Sequence, residues 1–394
     1  MISVEEAKTL LGSFNPEHKY VKSELACSEG FVLSDNVYST INMPPFAQSA
    51  MDGYALGNGD LSPKTKYKVV DEIAAGTNIK KVLKPGECMR IFTGAPVPEN
   101  CIAVVQQEWI ETEKGNVILK RGVALGMHIR SPGEQVKMEE LAVEKGTLIT
   151  PATIGFLAML GVRTVMVYSK PNVEIIVTGN ELAAPGQSLK YGQIYESNSQ
   201  MLRTALAKEG MVGKSSAVKD NLNDTKEKIE HALEFNDIVV LTGGISVGDH
   251  DYVGTALKQL GVKEVFYKVA QKPGKPIFFG TRGNKAVFAL PGNPAASLTC
   301  FYEYVIPILR MSYGRKDLFL TTLRLPLAIG YTIRSLPRAQ FLKAQINNGK
   351  VRILEGQSSA MLNTFALSNA QVYVRANTPI VKECELVEVH LLPQ

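Results

Sequence analysis

The chain is short of the residues that mark several large protein classes. It has a single tryptophan, Trp109, and no nucleic-acid-reading motif, so it offers no platform on which successive bases could stack. Its five cysteines (Cys27, Cys88, Cys101, Cys300, Cys384) are scattered without a C-x-x-C pair. That pattern argues against a structural zinc or a disulfide framework and reads as reduced, cytosolic thiols. The five histidines show no metal-ligand spacing. No apolar run approaches the roughly 20 residues of a membrane span. The start, Met1 to Glu6, lacks the basic-then-apolar pattern of a secretory signal. These absences predict a cytoplasmic protein with neither a membrane nor nucleic acid among its partners.

What is present fits a multidomain globular chain. At 394 residues it is too long for one core, and 45% apolar with 21% charged residues is ordinary for such a protein. A net charge of +5 suits anionic small molecules without requiring a polyanion. Residues 3–12 read as a short helix opened by a capping box of Ser3 and Glu6, and residues 31–38 alternate like a strand. From about 53 to 139, short β-like segments (Tyr67 to Ile73, Cys101 to Ile110, Val117 to Arg121) are punctuated by Pro and Gly. Helical character returns at Thr150, an N-cap followed by Pro151 and closed by Gly161. Residues 1–52 and 140–169 are therefore expected to form one discontinuous domain around a β-rich insert, 53–139.

Lys170-Pro171 marks the next boundary. Beyond it, expected strands (Val173 to Val177, Asp237 to Leu241, near Val265 and Val287) alternate with expected helices. Those helices start at Ser197, run near Thr225 to Phe235 and Ala256 to Leu260, and extend from Pro294 to Leu309. The alternation implies an α/β domain, 170–314, with a largely parallel sheet between helices. After Gly314 the chain turns β-like again (Phe319 to Leu327, Ala339 to Ile346, Val351 to Leu354, Leu386 to Leu392), a small C-terminal β domain, 315–394.

The chemistry is expected where strands of the α/β domain end, because ligands bind outside the carboxyl ends of such strands. The strand ending at Leu241 runs into Thr242, Gly243, Gly244 and Ser246, and then presents Asp249 and Asp251 just before a helix. Glycines let backbone N–H groups approach an anion, while carboxylates beside it would repel a phosphate unless a hard cation intervenes. The local reading is a phosphorylated ligand with Mg²⁺. Glu181, after the strand ending at Thr178, either completes that cation site or is a solvated loop carboxylate. Ser197 and Gln200 fit a capping box, which uses the same N–H groups that would bind an anion.

Between Lys263 and Lys285 lie six basic residues and one acid, Glu264. Such a run is usually a solvated face, but Pro273-Gly274-Lys275-Pro276 fixes the backbone and aims Lys268, Lys272 and Lys275 as point charges. Leu290 to Pro294 ends a strand and opens a helix, with Asn293 as cap. Gly213-Lys214-Ser215 is not a P-loop, since Lys208 stands where that motif needs Gly. His250, inside the acidic turn, has no triad around it. Far upstream, Pro44 to Tyr54 carries a lone carboxylate, Asp52, and Ile91 to Pro96 carries Thr93 on a Gly-Pro turn. Each is either a plain loop or a rigidly held functional group.

Taken together these segments resemble the MoeA family of molybdopterin molybdenumtransferases, which includes the E domain of gephyrin. The likeness spans essentially the whole chain. It rests on Pro44-Pro45-Phe46 with Ser49 to Ala55, Ile91 to Pro96, Thr178 to Leu182, Ser197-Asn198, Gly243 to Gly248, Asp251-Tyr252, Lys272 to Pro276 and Leu290 to Pro294. The resemblance implies a homodimer of four-domain subunits, with a three-layer α/β molybdopterin-binding domain and a C-terminal β-barrel. It implies that molybdate replaces the adenylyl group of adenylyl-molybdopterin, giving molybdenum cofactor and AMP, the substrate being delivered by a molybdopterin adenylyltransferase.

Carried over by position, the resemblance assigns function to Asp52, Thr93, Asp220, Lys268 and Lys272 as catalytic groups. It assigns Glu181, Asp249 and Asp251 to Mg²⁺. Ser197, Asn198, Gly243, Gly244, Ser246, Lys275, Pro291, Asn293, Arg338 and Ser359 would bind the cofactor precursor. In family members the cleft forms between subunits, so Asp52 and Thr93 are expected to serve the partner's site. One departure stands out. The family's Pro-Arg-x-Glu-Phe-x-Arg pattern appears as Pro337 to Lys343, with Gln340 for Glu and Lys343 for Arg. Lysine cannot reproduce a bidentate guanidinium contact, which leaves Arg338 as the expected grip. A scaffold without chemistry and a tungstate-handling paralogue are the alternatives.

Overall fold

The computed structural model describes residues 1–78, 80–245, 252–333 and 337–393. The chain divides into two compact units, one of residues 1–21, 30–34 and 166–394, the other of residues 22–29 and 35–165. Among the described residues no helix is long and apolar enough to cross a membrane.

The larger unit is built on a six-stranded sheet. In spatial order its strands are Lys214–Val218, Val173–Thr178, Ile238–Thr242, Lys285–Leu290, Phe278–Arg282 and Lys263–Tyr267. The first four are parallel; Phe278–Arg282 runs antiparallel to both its neighbours, so Lys263–Tyr267 points the same way as the first four, and the expectation of a largely parallel sheet holds. Val173–Thr178 and Ile238–Thr242 are buried along their whole length, as strands covered on both faces should be, with Glu174 in the first satisfied by Ser216, Asn236 and Lys228. The register aligns Thr178 with Val218 and Thr242 with Leu290, so the loops after the four parallel strands leave from one end. Helices Leu222–Phe235 and Tyr252–Gln259 bury Ile229, Leu233, Val253 and Leu257 against this sheet.

The helix after Lys285–Leu290 is expected as one piece but is interrupted. It runs Pro294–Cys300, widens to a π-turn over Phe301–Val305, and resumes at Ile306–Ser312. Pro307 explains this, because it has no N–H for the carbonyl four residues back and its ring crowds that carbonyl. Within the turn, Glu303 is buried, and its carboxylate meets Lys8 Nζ at 2.6 Å and His390 Nδ1 at 2.7 Å. Lys8 comes from the Val4–Leu11 helix, whose Ser3–Glu6 capping box forms as expected.

The C-terminal strands Thr322–Pro326, Ala339–Asn347, Lys350–Ile353, Ala370–Val374 and Leu386–Leu391 pair antiparallel. A bridge from Leu327 to Val351 closes the circuit into a small barrel around Leu342, Val351, Val372 and Val389. Ala370–Val374 is a strand the periodicity did not reveal. A short strand from the other sheet's neighbourhood, Gln271–Lys272, also joins this barrel, parallel to Ala339 and Gln340.

In the smaller unit, Gly53–Leu56, Lys66–Ile73, Glu87–Ile91, Ala103–Gln106, Ile110–Glu113 and Asn116–Leu119 form a six-stranded sheet. Gly53 is required there, since a Cβ would lie 1.9 Å from the Val105 carbonyl oxygen. The Pro151–Met159 helix starts from the expected Thr150 cap. The strand expected over residues 31–38 is reduced to Val37–Tyr38, because its remaining residues form turns and isolated bridges instead of a ladder.

Candidate functional site

The loops leaving the parallel strands enclose a cavity of about 630 Å³. Thr178 ends the Val173–Thr178 strand, and its hydroxyl donates to Asp220 Oδ1. Asp220 Oδ2 accepts from the Asn180 N–H at 3.3 Å, and the Asp220 N–H donates to Asn180 Oδ1 at 3.2 Å. Asp220 therefore fastens two adjacent strand ends together. The next loop approaches so closely that only glycine fits at 243, where φ is +89° and a Cβ would sit 2.3 Å from the Thr178 carbonyl oxygen.

Asn198 closes the floor. Its Nδ2 donates to Thr242 Oγ1 and to the Gly292 carbonyl, both at 2.8 Å. The Gly292 carbonyl can only accept, so the amide orientation is fixed and Oδ1 faces the other way, buried and without a donor among the described residues. The expected Ser197–Gln200 capping box is absent, since Ser197 makes no side-chain cap bond. Glu196 takes that role one residue earlier, accepting from the Ser199 N–H at 2.8 Å and from its hydroxyl at 2.5 Å. A carboxylate there satisfies the helix N–H groups more strongly than a hydroxyl.

The cavity wall carries Glu181, Glu196 and Asp220 and, among its described residues, no basic side chain. Glu196 and Asp220 are committed to hydrogen bonds, whereas the Glu181 carboxylate bonds to no described residue. Among the described residues no group of acidic, His or Cys side chains gathers tightly enough to hold a metal ion. Ser246, Asp249, His250 and Asp251 lie outside the described residues.

Of the lysines expected at the site, Lys272 lines a second cavity, about 880 Å³, together with Arg352, Ser358 and Ser359. Lys272 is placed there by the pairing of Gln271–Lys272 with the barrel strand that carries Gln340. Lys275 is exposed on the same loop, and Lys268, at φ +65°, sets its ammonium 4.5 Å from the Tyr267 ring centre. Asn293 holds the N-cap position before Pro294 but does not cap; its Nδ2 donates instead to Ser359 Oγ at 2.9 Å. The Arg338 carbonyl accepts from Gln340 Nε2 at 3.0 Å.

Lys343 does something the sequence comparison could not show. Its side chain is buried, and Nζ donates to the carbonyls of Gly356 at 2.7 Å, Ser358 at 3.0 Å and Met361 at 2.9 Å. Burial of this ammonium lowers its pKa to about 8. Three acceptors for three N–H donors make it a clamp on the loop that presents Ser359, a task for which a compact ammonium suits better than a planar fork.

In the smaller unit the structure joins the two residues singled out there. Asp52 Oδ1 accepts from the Thr93 N–H at 2.7 Å and from the Thr93 hydroxyl at 2.8 Å. These bonds, the backbone one first, hold the Asp52 pKa below the usual carboxylate value, so it is ionised at neutral pH.

Comparison with known proteins decides the lineage. Residues 2–161 match the MoeA N-terminal region (domain I and II), residues 174–311 a probable molybdopterin binding domain, and residues 329–392 the MoeA C-terminal region (domain IV). The chain belongs to the MoeA family of molybdopterin molybdenumtransferases. It is thus an enzyme of molybdenum cofactor biosynthesis. It is 32% identical over 402 residues to the molybdopterin molybdenumtransferase of Staphylococcus epidermidis, covering 99% of this chain and 95% of that one. It is 29% identical to the Haemophilus influenzae protein of the same name, covering all of both chains. A crystal structure of the MoeA protein from Pyrococcus horikoshii superposes with a TM-score of 0.86 at 28% identity, covering all of both chains. The MoeA membership expected from the motifs, and the multidomain α/β plus β fold, are both borne out.

Proposed function

We propose that this MoeA-family enzyme inserts molybdate into adenylyl-molybdopterin and releases AMP, the last step of molybdenum cofactor formation. The observation that carries this reading is the Asn293–Ser359 link, which ties the wall of the strand-end cavity to a loop shared with the cavity lined by Lys272 and Arg352. One cavity suits a nucleotide-linked ligand among glycine loops; the other suits a tetrahedral oxyanion.

Molybdate is the substrate that Lys272, Ser359 and Arg338 would hold as an anion, through an ammonium, a hydroxyl and a guanidinium. Gly244 and the start of the helix at Asn198 would offer backbone N–H groups to the phosphates. Gly243 lets the loop pass close to the Val173–Thr178 strand, while its own N–H donates to the Leu290 carbonyl at 3.3 Å. Ser197, Ser246, Pro291 and Asn293 would shape the wall, with Lys268 and Lys275 adding positive field. Asp220 would act by holding Thr178 and Asn180 in place. Asp52, kept ionised by Thr93, would orient the attacking oxygen.

The oxygen-only acidic character of the strand-end cavity fits a hard cation, for which Glu181, Asp249 and Asp251 are the proposed ligands. Bound there, Mg²⁺ would offset charge on the departing phosphate. We further propose four domains per subunit with the boundaries given by the sequence, a homodimer, a cytoplasmic location and delivery of substrate by a molybdopterin adenylyltransferase.

The test is AMP release from adenylyl-molybdopterin, with and without molybdate and Mg²⁺. Release that requires both supports the reading, and Glu181→Ala should reduce it by on the order of a hundredfold, the usual loss of one preorganised electrostatic contact. Absence of molybdate-stimulated AMP release from the wild-type protein would refute it.

A further inference from the structure

Residues 182–196 leave the sheet and return beside it, with Leu182 paired to Ile194 and Ala183 to Tyr195. This excursion exposes large apolar side chains at Leu189, Tyr191, Ile194 and Tyr195. Only Ile194 and Tyr195 of these four line the strand-end cavity. Tyr195 is the one aromatic residue among that cavity's described lining residues.

Its attitude is constrained. The hydroxyl donates to the Gln187 carbonyl at 2.8 Å, tying the far end of the ring to the excursion, while the backbone is held by the pairing with Ala183. A tyrosine whose polar end is satisfied within its own loop, yet which stays 47% exposed as a residue, has an apolar surface available to a ligand. A flat apolar surface held in this way suits the face of a planar aromatic ring.

We infer that Tyr195 forms the stacking wall of a subsite for a planar nitrogen heterocycle of the substrate. This rests on the proposed function, in which the substrate carries two such rings, a pterin and an adenine. Both share the required chemistry. Tyr195 is then a binding and specificity residue that contributes equally before and during the reaction, so its loss should raise KM and leave kcat in place.

The experiment measures the affinity of wild-type protein, Tyr195→Leu and Tyr195→Phe for adenylyl-molybdopterin, alongside KM and kcat for AMP release. Loss of one aromatic–heterocycle stack weakens binding by roughly tenfold or more. Tyr195→Leu should show that loss in affinity and KM, and Tyr195→Phe should bind like the wild type. Tyr191→Leu, a control outside the cavity, should change nothing. Competition by AMP alone and by pterin-6-carboxylate alone identifies the ring, since the competitor weakened by Tyr195→Leu is the one stacked. Unchanged affinity in Tyr195→Leu, with normal AMP release by the wild type, would overturn the inference and leave the proposed function standing. Equal damage in Tyr195→Phe and Tyr195→Leu would also overturn it, by assigning the effect to the hydroxyl tether.

Discussion

The side-chain amide of Asn293 donates to Ser359 Oγ at 2.9 Å, joining the turn after a central sheet strand to a loop hung from the barrel. The Ser359 carbonyl also accepts from the Ala296 N–H at 3.2 Å, so the loop is stitched to the start of a helix at two atoms. Removing the hydroxyl should loosen the loop without harming either core. A net hydrogen bond contributes about 0.5–1.5 kcal/mol. Ser359→Ala is therefore expected to raise the molybdate concentration for half-maximal AMP release by roughly two- to tenfold, which is that energy expressed as a ratio. Measuring molybdate dependence at fixed adenylyl-molybdopterin decides it; an unchanged curve would remove Ser359 from the molybdate contact.

Lys343 gives a pH dependence with a definite sign. A lysine whose pKa is lowered to about 8 in the folded chain binds its proton more weakly there than when unfolded. Stability should therefore rise as pH increases from about 8 towards the ordinary lysine value near 10. Lys343→Met, which keeps the stem and removes the charge, should flatten that rise in urea unfolding midpoints. A rise of the same size in the variant would show that other groups cause it.

For Asp52 the sign is the same, but the window lies at the acid end. Its folded-state pKa is lowered, so its bonds to Thr93 are present above the ordinary carboxylate range and are lost only as pH falls through the depressed value. The acid limb of AMP release should lie below the range usual for an aspartate, and Thr93→Ala should move that limb to higher pH. Asp52→Asn, which keeps the acceptor and loses the charge, should cut turnover by on the order of a hundredfold. Wild-type turnover in Asp52→Asn would confine this aspartate to a structural role.

The Lys8–Glu303–His390 cluster should govern the fold more than the chemistry. Burial would raise the Glu303 pKa, but the charges of Lys8 and His390 outweigh it and bring the value down to about 2. Burial favours neutral His390, yet Glu303 prevails and raises its pKa. Glu303's contribution thus persists until strong acid, while that of His390 is full below the ordinary imidazole value and fades as pH rises through the raised one. Glu303→Gln should destabilise by about 3–5 kcal/mol, because it leaves cationic partners buried without their counter-charge. A loss under about 1 kcal/mol in chemical denaturation would contradict that assignment.

Much of this was legible because it is local. The Ser3–Glu6 capping box, the Thr150 cap with Pro151, and the apolar strand running into Gly243 are patterns over a few residues, and each forms. What was not legible depends on distant partners. Lys272 reads as part of a Pro/Gly-fixed loop, since the strand character of Gln271–Lys272 exists only beside Ala339 and Gln340. Ser197 has the chemistry of a cap, but Glu196 competes for the same N–H groups and wins. Lys343 reads as a poor replacement for arginine until the three carbonyls around its ammonium are seen. Tyr195 carries no motif that marks it apart from any other exposed aromatic.

The pairing of Gln271–Lys272 with the barrel has a practical consequence for anyone who would cut this protein into parts. A fragment ending at residue 314 would keep the central sheet whole, yet Lys272 would have no neighbouring strand to decide which face it shows, since a slip of one residue exchanges the two faces. The barrel thus serves as a jig for a side chain encoded some 70 residues upstream, and grafting a foreign module in its place would have to reproduce that edge before any anion could be gripped.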